Sequence, residues 1–374
     1  MRSTVVHLLG GLGVGGNESL CLQVVRHAPP QVANVVIYQD PARTELLPAF
    51  AAVPHLRLGC VPTHGRPRLA GAWLLAKQLR RLRPLAVLIY AFGLHHLLMA
   101  AAARLAGVPS VHVSAGNPAP SDRIERRKWA MILWLSSALR VPVHSCSAGV
   151  ERSLRELGAR LPPGSGTIRN GCDLADVAGR ARRARRLRRR DGRLVVGMVA
   201  RLDPIKDQAT LIRAFAEIAK RHPQAELWLI GDGARAFELC DLATAEGVAD
   251  RVVFWGPRGD VPELLGQMDV FAFSTSRDEG FGIALIEAMA AGLPVVASDV
   301  PACHEVLGAG RAGILVPPGD HARLAQAICA LLSSPQQRAA WARRALTRAA
   351  GHYDAGVCAG AWYDVLLNRQ AAHA

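Results

Sequence analysis

The stretch RLVVGMVARLDPIKDQATLIRAFAEIAKRH, residues 193–222, reads as a strand, a loop and a helix in succession. Its opening RLVVGMV (193–199) is a nearly unbroken aliphatic run, as a strand covered on both faces requires. Its close, QATLIRAFAEIAKRH (208–222), places Leu211, Ala214, Phe215 and Ile218 on one helical face and Arg213, Glu217 and Lys220 on the other. A covered strand followed by a helix that packs by one stripe is the repeating unit of a parallel α/β sheet. The alternation continues outward in both directions. Behind it stand AELWLI (225–230), RVVFWG (251–256), DVFAFS (269–274), PVVASD (294–299) and AGILVP (312–317). In front stand TVVHLL (4–9), ANVVIY (33–38), LAVLIY (85–90), PSVHVS (109–114) and VPVHSC (141–146). Each half makes its own sheet, so the expected class is α/β with two doubly wound domains facing each other across a cleft at the carboxyl ends of their strands.

Composition agrees. A chain of 374 residues exceeds what one core usually serves, and 50% hydrophobic with 20% charged residues excludes a disordered, collagen-like or small disulfide-stapled protein. The eight cysteines are scattered, with no C-x-x-C pair and no cluster at zinc spacing, and read as small apolar residues of a reducing compartment. The run TVVHLLGGLGVGG after Arg2 imitates a secretory signal, but five glycines and His7 interrupt it. WAMILWLSSAL (129–139) is shorter than the ~20 residues a membrane-crossing helix needs. AVLIYAFGLHHLLMAAAA (86–103) reads as strand, turn and helix start, so no transmembrane helix is expected.

The net charge of +15 is uneven: residues 1–160 hold 19 basic against 7 acidic residues, 161–190 hold 9 against 2, and 191–374 hold 17 against 21. Eight arginines between Arg180 and Arg190 read as a solvated linker. Arg123, Arg126, Arg127 and Lys128 run into Trp129, Met131, Ile132, Leu133 and Trp134. That pattern suits the headgroup region of an anionic membrane, and it suits equally a buried helix with a charged outer turn. With 5% aromatic residues and no recognisable module, no specific nucleic-acid partner is expected.

GLGVGG (11–16) follows a strand, opens a helix and satisfies G-x-G-x-x-G at Gly11, Gly13 and Gly16, while Asp40 stands where a ribose-binding acid would. An NAD-dependent oxidoreductase is therefore the rival reading. The same glycines also suit a generic cleft loop that approaches a ligand closely, with Asp40 in a plain turn before Pro41.

The rear half weighs against the rival. STSRDEGFGIALIEAMAAGLPVVASDV (274–300) carries Glu279 in a loop after a strand and Glu287 in the first turns of the following helix. The free N–H groups at that helix start, around Phe281, Gly282 and Ile283, form an anion site suited to a diphosphate. A carboxylate beside it is stable if it accepts hydrogen bonds from hydroxyls, so the pair implies a ligand with both groups, as a nucleotide sugar has. Arg201 and Lys206, in the loop of 200–207, can neutralise a diphosphate leaving group. No metal or other cofactor is then expected, and the sequence holds no D-x-D pair for one.

Residues 193–320 resemble the nucleotide-binding domain of retaining group-1 (family 4) glycosyltransferases of the GT-B fold, through VARLDPIKDQATLIRAF, LWLIGDG, VVFWGPRGDVPELL, DVFAFSTSRDEGFGIALIEAMAAGLPVVASD, HEV and GILVPPGD in fixed order. In front, GLGVGGNESL resembles the family's glycine-rich first loop, ending in Glu18, and IRNGCD (168–173) its interdomain segment. The resemblance implies a metal-independent enzyme of two Rossmann-like domains that moves a hexosyl group from a nucleoside-diphosphate sugar to a hydroxyl acceptor with retention. Catalytic roles fall to Arg201, Lys206 and Glu279, the last holding the transferred sugar. Donor binding falls to Glu287 at the ribose, to Phe281, Gly282, Ile283, Gly231 and Arg258, and to Gly13, Gly15 and Gly16. Many relatives carry a histidine where SAGNP places Ala115, so Asn117 stands in on the acceptor side with Glu18, and His112 reads as a core histidine. Pro301 and Ala302 replace glycines common in relatives, which leaves the donor sugar open. The expected domains are 1–170, an arginine-rich linker 171–192, a donor domain 193–350 and a crossover helix and tail 351–374. The expected acceptor is a lipid-linked or cell-surface glycan precursor. The expected location is cytoplasmic, peripheral on the membrane through the basic front domain.

Overall fold

Aliphatic runs and one-faced helices alternate throughout the chain, in a computed structural model that describes residues 3–62, 67–188 and 192–368. Two units result, Met1–Gly171 with Ala355–Ala374, and Cys172–Asp354.

The first unit runs β1 (Ser3–Leu9), α1 (Gly16–Arg26), β2 (Val32–Tyr38), α2 (Leu47–Ala51), β3 (Arg57–Cys60), α3 (Arg68–Leu82), β4 (Ala86–Ile89), α4 (Leu94–Leu105), β5 (Ser110–Ala115), α5 (Arg123–Ala138), β6 (Val143–Ser145), α6 (Ala148–Arg155) and β7 (Gly166–Thr167). Its sheet is parallel in the order β3-β2-β1-β4-β5-β6-β7. Successive side chains of β1 enter different cores: Val5 and Leu9 pack with α1, Val6 and Leu8 with α3 and α4. That two-sided burial is why the strand reads as a continuous apolar run.

The second unit runs α7 (Leu174–Leu187), β8 (Leu194–Val199), α8 (Gln208–Arg221), β9 (Ala225–Ile230), α9 (Ala236–Ala245), β10 (Val252–Gly256), α10 (Val261–Gly266), β11 (Val270–Phe273), α11 (Ile283–Ala290), β12 (Val295–Ser298), α12 (Pro301–Val306), β13 (Ile314–Val316), α13 (His321–Ser333) and α14 (Pro335–His352). Its parallel sheet has the order β10-β9-β8-β11-β12-β13. Helix α8 buries Leu211, Ala214, Phe215 and Ile218, the stripe its periodicity marks. The chain then rejoins the first unit as α15 (Ala355–Leu366), which packs on α1 and buries Trp362 and Tyr363 there.

Two differences from the sequence reading have physical reasons. The arginine-rich stretch is not a solvated linker over its described part. It is helix α7 of the second unit, seated so closely on α10 that a Cβ on Gly266 would meet the Ala181 carbonyl at 2.3 Å. Three of its cations find partners: Arg180 forks onto Glu263 at 2.7 and 2.8 Å, Arg188 reaches Asp269 at 2.8 Å, and Arg185 donates to the Ala291 carbonyl. Arg189 and Arg190 lie outside the described residues. The second unit thus begins at Cys172 rather than 193, and the return to the first unit comes at Ala355 rather than 351. Strands β3 and β7 went unread because one is a half-exposed edge and the other two residues long.

Candidate functional site

In the second unit the strand order reverses between β8 and β11, the place where doubly wound sheets bind ligands. The two segments singled out in the sequence leave the sheet there, the loop of 200–207 after β8 and the loop of 274–282 after β11. They are tied together at one carbonyl: the Ile205 oxygen accepts from the Ser276 amide at 2.8 Å and lies 2.9 Å from Thr275 Oγ1. The Thr275 amide donates in turn to Ser298 Oγ at the end of β12. Across this junction the Lys206 ammonium pairs with Glu279 Oε2, their side chains only 15% and 8% exposed. The ammonium also stands 5.0 Å from the centre of the Phe273 ring, and Thr275 Oγ1 is 3.3 Å from the same carboxylate oxygen. Lysine has three donors and a carboxylate about four acceptor positions, so each partner keeps capacity for a ligand.

The helix start differs from expectation in one respect. The Phe281 amide is not free for an anion, because it donates to Glu279 Oε1 at 3.4 Å. Its ring is buried edge-on against Tyr353. Gly282 caps α11 with φ +85°, a left-handed conformation suited to glycine, and the helix opens at Ile283 with amides that have no partner inside the helix. Glu287 lies one turn further on. Although the residue keeps some surface, its carboxyl is packed in near Cys172, and burial pushes its pKa up to about 7. The two glutamates therefore have separate surroundings, one paired with a lysine and one enclosed.

Arg201 sits at the rim with 65% of its side chain exposed, 2.8 Å from Asp203. Asp203 also accepts from the amides of Ile205 and Lys206, which shapes the loop that carries the lysine. Gly231, at φ +133°, follows β9 and lies so near β8 that a Cβ would meet the Ala200 carbonyl at 2.1 Å. Its amide donates to the Gly256 carbonyl, so the loop bearing Arg258 adjoins it. The Arg258 guanidinium stands over Trp255 and forks onto Asp260.

The remaining candidates belong to the first unit. Gly13 and Gly15 lie beneath other side chains: a Cβ on Gly13 would meet Arg43 Nη2 at 2.7 Å, and one on Gly15 would meet Glu18 Oε2 at 2.5 Å. Gly16 starts α1, and Glu18 is buried in its first turn, 3.5 Å from Arg43. Asn117 is exposed after β5, whose next residue, Gly116, faces Asn17 of the glycine loop. His112 is a core histidine: its ring bonds Ser110 and His144, and burial lowers its pKa to about 4. Asp40 accepts from the Ala42 amide in a plain turn. With Glu18 already at the start of α1 and Asp40 in that turn, the first unit offers a poor dinucleotide site. Thr275, Phe273, Asp203 and Arg43 were not anticipated, and only Asp203, before Pro204, carried a turn signal in sequence.

Residues 180–348 match the family described as Glycosyl transferases group 1. The second unit is a group-1 glycosyltransferase domain. Two curated relatives match part of the chain. The phosphatidyl-myo-inositol mannosyltransferase of Mycolicibacterium smegmatis is 36% identical over 183 residues, 48% of this chain and 46% of that protein. The D-inositol 3-phosphate glycosyltransferase of Nocardia farcinica is 35% identical over 171 residues, 43% of this chain and 37% of that protein. The chain thus spans about half, or less, of the length of the curated relatives it matches. In structure, Anabaena Alr3699/HepE in complex with UDP-glucose superposes with a TM-score of 0.83 over 98% of this chain and 100% of its own, at 23% identity. WaaG, a glycosyltransferase involved in lipopolysaccharide biosynthesis, gives 0.74 over 97% and 99% at 17% identity. At those identities the likeness establishes the fold alone, that of the GT-B glycosyltransferases, with two Rossmann-like units.

A hollow of about 560 Å³ lies elsewhere in the group-1 domain, lined from α7, β8, β9 and α10. Its Arg180, Arg188 and Arg193 each face a carboxylate, Glu263, Asp269 and Glu226. The junction of β8 and β11 remains the better-built site. Among the described residues no group of histidine, cysteine and carboxylate side chains could hold a metal.

Proposed function

We propose that this chain moves a hexosyl group from a nucleoside-diphosphate sugar to a hydroxyl of a lipid-linked or cell-surface glycan precursor, with retention and without a metal. The observation that carries the reading is the buried Lys206–Glu279 pair across the β8/β11 junction. It sets a cation for phosphate oxygens directly beside a carboxylate for sugar hydroxyls. The named ligand of the Anabaena protein, UDP-glucose, and the mannosyl and glycosyl transfers named for the two relatives support it.

In this reading the bond between the anomeric carbon and the diphosphate oxygen breaks as one to the acceptor oxygen forms. Lys206 and Arg201 face the negative charge that grows on the departing diphosphate, and donors already in place there lower the barrier. The acceptor proton passes to the departing phosphate, so no side chain is assigned as base. Glu279 orients the sugar and an ionised Glu287 the ribose. The base is assigned to Gly231 and Arg258, further donor contacts to Gly13, Gly15 and Gly16, and the acceptor to Asn117 and Glu18. The work is done at the cytoplasmic face of a membrane.

The test pairs UDP- and GDP-sugars with a polyprenyl-phosphate-linked acceptor, reading nucleoside diphosphate release and the anomeric configuration of the product. Release that depends on the acceptor, with retained configuration, is expected. Release no faster than donor hydrolysis across the panel overturns the assignment.

A further inference from the structure

Helix α5 carries apolar bulk on the wrong side for a buried helix. Its inner face packs Ile132 and Leu133, with Trp129 set edge-on against Phe92 at 4.7 Å. Its outer face presents Ile124, Met131 and Trp134, 76%, 49% and 64% exposed, interleaved with exposed Arg123, Arg127 and Lys128. Positions 124, 127, 128, 131 and 134 recur at helical spacing, so cations and apolar groups share one stripe. Of those cations, Lys128 has a carboxylate within reach, Glu125 at 3.2 Å, itself exposed. Helices α3, α4 and α5 lie side by side: Arg80 of α3 donates to the Leu105 carbonyl at the end of α4, and His96 of α4 bonds Ser136 of α5. Helix α3 repeats the chemistry, with Leu69 and Trp73 76% and 61% exposed and Lys77 over the Trp73 ring.

We infer that the outer stripe of α5 docks the protein on a bilayer containing anionic lipid. Three observations select that occupant. The first unit carries 21 basic against 8 acidic residues, the second 24 against 22, so attraction to an anionic surface is concentrated in the first unit. A second copy of the chain would set the same cations against each other. A nucleic acid would satisfy Arg127 and Lys128 but leave Ile124, Met131 and Trp134 in water, whereas the headgroup region accepts both, and tryptophan is favoured there. Docking has a geometric consequence within the first unit. Helix α5 begins at the carboxyl edge of the sheet, next to the loop where Gly116 meets Asn17, so that edge is held at the lipid surface. The inference deepens the proposed function, since a lipid-linked acceptor would be presented there, and rests on it only for that purpose.

The full chain is sedimented with phosphatidylcholine vesicles with and without phosphatidylglycerol, and in parallel melted with UDP and GDP. Binding to the anionic vesicles only is expected. The pair Arg127→Gln and Lys128→Gln weakens it about 30-fold, as loss of roughly 1 kcal/mol per surface cation implies. Trp134→Ser weakens it too, while Arg182→Gln with Arg183→Gln, which removes equal charge from exposed positions of α7, leaves it unchanged. All of these side chains are exposed, and an unchanged melting temperature confirms folding. Failure of the wild type to bind anionic vesicles, an equal loss in the α7 pair, or a dimer that Trp134→Ser dissociates overturns the inference. A chain that binds vesicles but is stabilised by neither nucleotide keeps the docking face and loses the proposed function. Stabilisation without vesicle binding does the reverse.

Discussion

The two units share a strand order over six strands, to which the first adds β7, and even one hydrogen-bonded device, yet they place glycine on opposite sides of it. After the first strand of each sheet a buried leucine is clasped by the loop that follows the second strand. Leu12 donates to the Arg43 carbonyl and accepts from the Leu46 amide, while Leu202 donates to the Asp232 carbonyl and accepts from the Arg235 amide. In the first unit the glycines lie on the clasped loop, at Gly11 and Gly13, and the side chain over them is the flexible Arg43. In the second unit they lie on the clasping loop, at Gly231 and Gly233, and meet backbone, the carbonyls of Ala200 and Leu202 at 2.1 and 2.3 Å. The loop that is clasped in the second unit is therefore free to carry Arg201 and Lys206. One device leaves glycines on the clasped loop in the first unit and the cations Arg201 and Lys206 on it in the second.

The strongest way to break this contrast is to remove Lys206. Lys206→Ala is expected to lower turnover about 10³-fold and stability by roughly 3 to 5 kcal/mol, since Glu279 is left buried and unpaired. Adding Glu279→Ala should restore most of the stability and none of the turnover, read by denaturant melts and product formation. Unchanged stability in the single variant would show that the pair opens in solution. Arg201→Ala should lower turnover about 10²- to 10³-fold. Its exposed pair with Asp203 contributes at most about 1 kcal/mol to folding, so the melt should scarcely move. Near-normal turnover would remove Arg201 from the site.

The glycine contrast is sharpened by a matched pair. Gly233→Ala must push the Leu202 carbonyl aside and should destabilise by about 2 to 3 kcal/mol. Gly13→Ala displaces only the end of Arg43 and should cost about 1 kcal/mol or less. Equal losses in urea would dissolve the distinction between the units.

A pH-dependent effect concerns Glu287. Its carboxyl is raised to about 7 in the fold, so the folded state holds a proton that the unfolded chain releases near 4.5. Stability from this group is present at low pH and falls as pH rises from about 4.5 to 7. Glu287→Gln should therefore stabilise the protein at pH 8 by on the order of 1 to 3 kcal/mol and leave it nearly unchanged at pH 4. If the ionised form holds the ribose, the same variant binds nucleotide diphosphate more weakly at pH 8. A variant that is equally stabilised at both pH values would show that Glu287 does not titrate in this range.

Much of this was legible before any coordinates. Both sheets, eleven of the thirteen strands and helix α8 follow from the aliphatic runs and the period of the apolar residues, because a strand covered on both faces is predominantly apolar along its length. The order of motifs in the rear half likewise marked a group-1 domain. The arginine-rich stretch misled because charge density reports solvent contact only when no partner is near. Glu263, Asp269 and the Ala291 carbonyl, 81 to 106 residues away in sequence, turn it into a packed helix.

Local sequence determined which segments are strands, which helices show one face, and which loops carry the cations and carboxylates. Tertiary structure alone decided that Lys206 meets Glu279 across 73 residues, that the Phe281 amide serves this carboxylate, and that Trp134 faces outward while Trp129 packs inward. The reason is that periodicity is a property of one segment. Pairing between charges, and the side of a helix that is covered, depend on which segments the sheet brings together, and no local pattern encodes that distance.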